Sequence, residues 1–305
     1  MALDTATTPD SASTTPRALD TASLRRRPAG RKLHLSIGHH LGTVGLTATV
    51  ILILLPVAFT ISTAFRPSAD VSASPLALPT AFTLGNFTEV IGRMDYVRSV
   101  GNSVVILVAS LFITVILGAL AAYPLARISN KWSNGVYRIF IAGTTIPVFV
   151  LIAPLYLLQR DLGLLNTHVG VILTYCALNL PVAIFFYTSF LRQIPVELEE
   201  AASLDGAGPL RIFLTILFPL LRPITATLAT FLTLSIWNDL IIPLVFLRSP
   251  ELRTVMVNAY AQIGTYSLDP TILFPAALLG VAPLLIVFIA LQRQVVAGLT
   301  MGAVK

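Results

Sequence analysis

Six apolar stretches, each about as long as a lipid bilayer is thick, leave this chain few ways to fold. They cover about residues 41–65, 101–126, 136–158, 168–191, 219–247 and 272–292. A helix needs roughly 20 apolar residues to cross the hydrocarbon core. In lipid every backbone N–H and C=O must also find a partner inside the protein. An α-helix meets both demands within one segment, so the expected fold class is all-α: a polytopic integral membrane protein with six transmembrane helices. Composition agrees, with 55% hydrophobic and 11% charged residues among 305, where soluble domains carry about 25% charged. The single cysteine, Cys176, lies in an apolar segment and rules out both an internal disulfide and a Cys-based zinc site.

The charges give the orientation. Residues 1–35 form an N-terminal segment that is Ala/Ser/Thr/Pro-rich to about residue 24 and then basic, through Arg25, Arg26, Arg27, Arg31 and Lys32. Such composition cannot bury a core, and the segment is expected to be disordered and cytoplasmic. The apolar run that follows is too long for a secretory signal and reads as an uncleaved first span. Residues 36–305 then make up the transmembrane domain. With the N-terminus inside, Arg66, Arg93, Arg98, Arg160, Arg248 and Arg253 fall outside, and the other fourteen of the 20 basic residues fall inside. This bias places both termini in the cytoplasm. The net charge of +6 therefore tracks membrane orientation, not a nucleic-acid partner. Two outside loops, about 66–99 and 248–269, are too polar for lipid and large enough to contact something outside the cell.

One polar island interrupts the apolar pattern, residues 195–219, with Glu197, Glu199 and Glu200 just after Pro195. Proline and acids favour a helix start. On a helical wheel Leu198, Ala201 and Ala202 fall together, with Glu199, Glu200 and Ser203 on the other side. Asp205-Gly206 breaks this helix and Gly208-Pro209 begins a second one that runs to Pro219. The result is a short helix-turn-helix whose small, Ala-based face needs a partner to cover it.

Glu200-Ala201-Ala202, Asp205-Gly206-Ala207 and Ile216-Leu217-Phe218-Pro219 together resemble the EAA loop of ABC importer permeases, with Phe218-Pro219 where Leu-Pro is usual. The resemblance implies the ABC importer permease fold. It also implies that this loop (Glu199, Glu200, Ala201, Ala202, Asp205, Gly206, Ala207, Pro219) is a cytoplasmic coupling helix docked into an ATPase subunit.

The likeness extends over about residues 45–305. Gly101-Asn102-Ser103, the Ala121–Arg127 run, the Leu162–Thr167 run and the terminal Leu291–Lys305 run are similar to the maltose-type second permease subunit of the carbohydrate-uptake branch. That branch implies a C-terminal tail (Gly298, Thr300, Gly302, Lys305) reaching between the ATPase subunits. It further implies a homologous permease subunit as heterodimer partner, two ATP-binding subunits and an extracellular solute-binding protein. The cargo would be a carbohydrate crossing the lipid of a bacterial plasma membrane. A permease for a non-sugar solute, such as glycerol phosphate or a peptide, is the alternative.

The chain carries no Gly-x-x-x-x-Gly-Lys-Ser/Thr phosphate loop, and Gly206-Ala207-Gly208 is followed by Arg211 where a dinucleotide fingerprint needs glycine. The expectation is a transport subunit that is not an enzyme and binds no cofactor, ATP and Mg belonging to a partner. The histidines His34, His39, His40 and His168 have no Cys, Asp or Glu neighbours at metal-ligand spacing. Asp239, in Trp237-Asn238-Asp239, is the one acid inside a span. A carboxylate there is costly and faces a pore or a partner. Asn238 and Asp239 therefore read either as path or gate residues or as an interhelical hydrogen bond. The orientation is testable: a Ser203→Cys variant should react with a membrane-impermeant thiol reagent in inside-out vesicles and not in intact cells. Labelling from outside alone would reverse the topology.

Overall fold

The computed structural model describes residues 31–301 except 78 and 264–267, with side chains described for residues 43–289 outside those gaps. All regular structure among them is helical: α1 (Arg31–Ala64), α2 (Ser68–Ala73), α3 (Gly85–Arg93), α4 (Tyr96–Arg127), α5 (Lys131–Gly143), α6 (Val148–Asp161), α7 (His168–Leu191), α8 (Glu197–Leu204), α9 (Pro209–Ile212), α10 (Phe218–Leu220), α11 (Arg222–Asn238), α12 (Ile241–Phe246), α13 (Val255–Tyr260) and α14 (Pro270–Met301). A π-helical stretch, Phe213–Leu217, joins α9 to α10. Residues 1–30 lie outside the described residues, and α1 already begins at Arg31. The chain forms two compact units: residues 1–56, whose described part belongs to α1, and residues 57–305.

Four helices are long and apolar enough to cross a membrane: Thr43–Ala64, α4, α7 and Pro270–Ile289. Two bent pairs raise the number to six if each counts as one span, Lys131–Gly143 with Val148–Asp161 at 101° and Pro209–Leu220 with Arg222–Asn238 at 70°. The expected third and fifth spans are thus not single rods. The third breaks at Thr144–Pro147, where Pro147 has an extended backbone and cannot supply an N–H. The 70° bend of the second pair lies at Leu221, and the fifth expected span is interrupted again at Asp239, whose ψ of 126° ends α11 before α12 begins. Elsewhere proline does not break the helix: Pro124, Pro154, Pro181, Pro275 and Pro283 lie within continuous helices.

The core of the second unit is the α4–α7 pair, the most extensive helix contact. It is possible because Gly118 and Ala122 put no bulk on α4 where α7 presents Ala183 and Tyr187. A Cβ built on Gly118 would lie 2.6 Å from the Ala183 Cβ, closer than real side chains come. Small residues allowing backbones this close are how helices pack where lipid removes the usual hydrophobic drive. The second small pair, Ala276 and Gly280 on α14, faces α13. A Cβ at Gly280 would meet Met256 Sδ at 3.4 Å, and Trp237 Nε1 donates to the Gly280 carbonyl at 3.0 Å.

At the end of the bundle away from α8, the segments expected as loops are folded. Arg66 is 2% exposed and caught by three carbonyls, with Nη1 donating to Pro75 O and Nη2 to Asp70 O and Ser74 O. Asn86 Nδ2 donates to Ala64 O and Arg66 O, so α3 is stitched to the end of α1. After α12, the chain from Leu247 to Tyr260 is held by residues of other elements. Asn102 Nδ2 donates to Glu251 O and Arg253 O, Ser103 Oγ accepts from Val255 N, and Asn258 Nδ2 donates to Met94 O. Asn166, at φ 59°, accepts from the N–H groups of Arg248 and Ser249. Polar side chains near the membrane edge here satisfy backbone groups that irregular structure leaves open.

Gly118→Ala should lower the thermal midpoint of the purified protein by several degrees, since overpacking costs about 1–3 kcal/mol. Gly135→Ala, with no atom near its added Cβ, should leave the midpoint unchanged or raise it. Equal effects at both positions would show that the α4–α7 contact does not depend on Gly118.

Candidate functional site

Two features stand apart from the core packing, one at the α8 end of the bundle and one within it. The first begins where α7 ends at Leu191. A five-residue turn leads to α8, which starts at Glu197, two residues later than the position of Pro195 suggests. None of the α8 residues is buried, and Leu198 and Leu204 are 45% and 89% exposed. Its end is a glycine-dependent stop. Gly206 has φ 81°, Gly206 N donates to Ser203 O, and Ala207 N donates to Ala202 O. This is the left-handed C-terminal motif that only glycine adopts without steric cost.

The wheel grouping of Glu199 with Glu200 does not survive. Glu199 turns into the protein, where Arg127 Nε meets its Oε1 at 2.6 Å and Tyr123 OH donates to its Oε2 at 2.8 Å. The side chains of Arg127 and Glu199 are 15% and 11% exposed, so this pair is shielded, unlike the other ion pairs of the described residues. Arg127 Nη2 also donates to Ile194 O at 3.1 Å, fixing the turn itself. Ala202 and Ala207 pack on the core beside Glu199, while Glu197, Glu200, Ala201, Ser203, Leu204 and Asp205 face outward. The wheel could not find this, because an eight-residue helix has two polar sides and the arginine that chooses between them is on α4.

The return segment is tied to the same point. Phe213 is 3% exposed and its ring stacks 5.5 Å from Tyr123. Pro219 follows the π-helical stretch, and Phe213 packs against Phe218 at 5.9 Å. Both arms of the elbow therefore rest on the last two turns of α4.

The second feature is a cavity of about 600 Å³ where the two helix breaks meet the middle of α7. Thr144 comes from the α5–α6 break, Tyr175 and Asn179 from α7, and Ser235, Asn238 and Asp239 from the α11–α12 break. Asp239 is held on both oxygens: Oδ2 accepts from Tyr175 OH at 2.8 Å and Oδ1 from Ile241 N at 2.9 Å. It thus makes the interhelical hydrogen bond and lines the cavity at once. Asn238 lies beside it with Nδ2 donating to Leu234 O. Thr144, Tyr175, Asn179 and Ser235 escape a reading of the sequence, being ordinary residues on three separate segments. Of the C-terminal tail, Gly302 and Lys305 lie outside the described residues, and Gly298 and Thr300 continue the α14 backbone with undescribed side chains.

Comparison with known proteins bears directly on these features. A family described as "Binding-protein-dependent transport system inner membrane component" matches residues 114–300, which include the α8 elbow and the cavity. The chain belongs to this family. Among its relatives are the melibiose/raffinose/stachyose import permease protein MelC of Bacillus subtilis, 37% identical over 82% of this chain and 91% of its own length. The diacetylchitobiose uptake system permease protein NgcG of Streptomyces coelicolor is 33% identical over 84% and 85%. A bacterial ABC transporter that imports the acidic polysaccharide alginate contains a chain of the same fold, with TM-score 0.74 and 22% identity over 85% of this chain and 96% of that one. The permease is accordingly a multi-pass component of the plasma membrane.

The Arg127–Glu199 tie generates a prediction. Removing one partner of a shielded ion pair leaves the other without its countercharge and costs several kcal/mol at most. Arg127→Ala and Glu199→Ala should each lower the thermal midpoint of the detergent-purified permease. The double variant should be no worse than the poorer single, since the pair acts as one unit. Strictly additive losses would mean that the two side chains are independent.

Proposed function

We propose that the permease forms half of the translocation path of an ATP-driven importer of a sugar or oligosaccharide, and that α8 is its mechanical input from a separate ATPase. The observation that carries this reading is α8 itself: a helix with no buried residue, stopped by a left-handed glycine and braced to α4 through Glu199. A short, exposed helix on a stiff mount suits the receipt of force from a partner. Glu200, Ala201 and Leu204 offer the contact surface, while Glu199 passes displacement to the spans. Relatives named for melibiose, raffinose, stachyose and diacetylchitobiose support a carbohydrate cargo. The remaining partners follow from that class: a homologous permease subunit, two ATP-binding subunits and an external solute-binding protein.

In the proposed cycle, ATP-driven closure of the ATPase pair draws the two α8 elbows together on the cytoplasmic side. The α4–α7 core moves with α8 as a rigid body, and the broken helices around the cavity absorb the change in backbone angle. Discontinuous helices beside a midplane site are the usual way transporters combine rigid rocking with a polar path. ATP shifts the balance only as far as it binds the two states differently.

The test is Gly206. A β-branched residue in the left-handed region costs about 1–2 kcal/mol and reshapes the end of α8. Gly206→Val should abolish ATP-driven uptake while membrane insertion stays normal, and Gly206→Asn, which tolerates that backbone better, should retain part of it. Full uptake by a well-inserted Gly206→Val variant would remove α8 from the coupling route.

A further inference from the structure

The cavity at the two helix breaks has a chemical bias that family membership does not specify. Among its lining residues there is no Lys, Arg or His. Its polar groups are one carboxylate, two amides, two aliphatic hydroxyls and a phenol. The amides are turned in a particular way. Asn179 Nδ2 donates to Tyr175 O at 2.8 Å and Asn238 Nδ2 to Leu234 O at 2.9 Å, so one N–H of each amide is engaged on its own helix. Each amide keeps its Oδ1 acceptor and a second N–H donor for the cavity. The Tyr175 hydroxyl hydrogen goes to Asp239 and the Thr144 hydroxyl hydrogen to Ile141 O. What remains is a wall of neutral polar groups around one fixed carboxylate, with no cation among them.

Such a wall suits a solute that brings hydrogen-bond donors and opposes one that brings negative charge. Inside a low-dielectric bundle like charges repel more strongly than in water, and a desolvated anion needs a countercharge that this wall does not offer. Arg127, Arg192 and Arg222 lie at helix ends, and neither they nor any other basic residue is among those lining the cavity.

We propose that this cavity is a charge filter in the translocation path. It admits neutral or amine-bearing polyhydroxyl solutes and rejects those bearing carboxylate, sulfonate or phosphate, with Asp239 as its charged element and Asn179 and Asn238 as acceptors for sugar hydroxyls. The inference rests on the transport reading above. It separates this permease from one for an acidic polysaccharide, although the fold is shared.

The filter is testable without knowing the cargo. In a Cys176→Ser background of the assembled importer in membrane vesicles, Ser235→Cys places a thiol on the cavity wall. Two methanethiosulfonates of similar size, one carrying a trimethylammonium and one a sulfonate, are then compared for reaction rate. The expected cation-to-anion rate ratio at Ser235→Cys is at least tenfold above that of a free thiol in solution, and Asp239→Asn should bring it down to the free-thiol value. A ratio no higher than the free thiol's, a ratio unmoved by Asp239→Asn, or no reaction with either reagent would overturn the filter. ATP-driven accumulation of radiolabelled melibiose or diacetylchitobiose, measured in the same vesicles before labelling, reports the transport reading separately. Accumulation with no charge ratio defeats the filter alone. A charge ratio with neither sugar accumulated, together with unaffected ATP hydrolysis in Gly206→Val, defeats the transport reading.

Discussion

The close approach of α4 to α7 at Gly118 is the contact on which the other features depend. With no side chain at that position the two backbones come near enough for Ala183 to fill the gap, and both helices become parts of one body. The elbow begins at the end of α7 and is braced against the end of α4. The Asn102 and Asn166 pins at the opposite end rise from α4 and from the residue before α7's N-cap. The cavity lies beside the middle of α7, where Tyr175 and Asn179 line it. A wider α4–α7 spacing would put Arg127 out of reach of Glu199 and loosen the elbow from the bundle.

Polar residues in this protein serve backbone left open by irregular structure. Asn86, Asn102, Asn166 and Asn258 donate to carbonyls or accept from N–H groups at helix ends and in the short segments that join the helices. Asp239 does the same at the α11–α12 break and takes a second bond from Tyr175. Irregular backbone at membrane depth is tolerated only where protein encloses it or it borders a polar cavity. The two breaks meet that condition together, since the same 600 Å³ space borders both. A helix break, a polar cavity and the Asp239 carboxyl are therefore one arrangement.

The elbow applies the same economy to charge. An exposed ion pair contributes little to stability, and Arg93–Glu89 and Arg160–Asp161 are of that kind. Arg127–Glu199 differs in being shielded and in receiving a third partner, Tyr123. Its worth is geometric: it fixes the orientation of α8, leaving Glu200, Ala201 and Leu204 outward. The π-helical stretch ahead of Pro219, where the proline cannot donate an N–H, seats Phe213 of the return arm against Tyr123 of α4.

Composition and period alone determined that this chain is helical and belongs in lipid, because a run of apolar residues has one way to satisfy its backbone there. The EAA-like spacing and Gly206 were equally legible, since a left-handed stop depends on local backbone sterics. The Gly118/Ala122 pair was visible too, though not its partner. Three things were decided only by tertiary structure. Glu199 chose the inner side because Arg127, 72 residues earlier, reached it. The third and fifth apolar runs broke at the borders of the cavity, and the polar loop beyond α12 folded because Asn102 and Asn166 bond it and its own Asn258 reaches Met94. Each of these depends on groups far apart in the chain and close in space, and such pairings leave no trace in local periodicity.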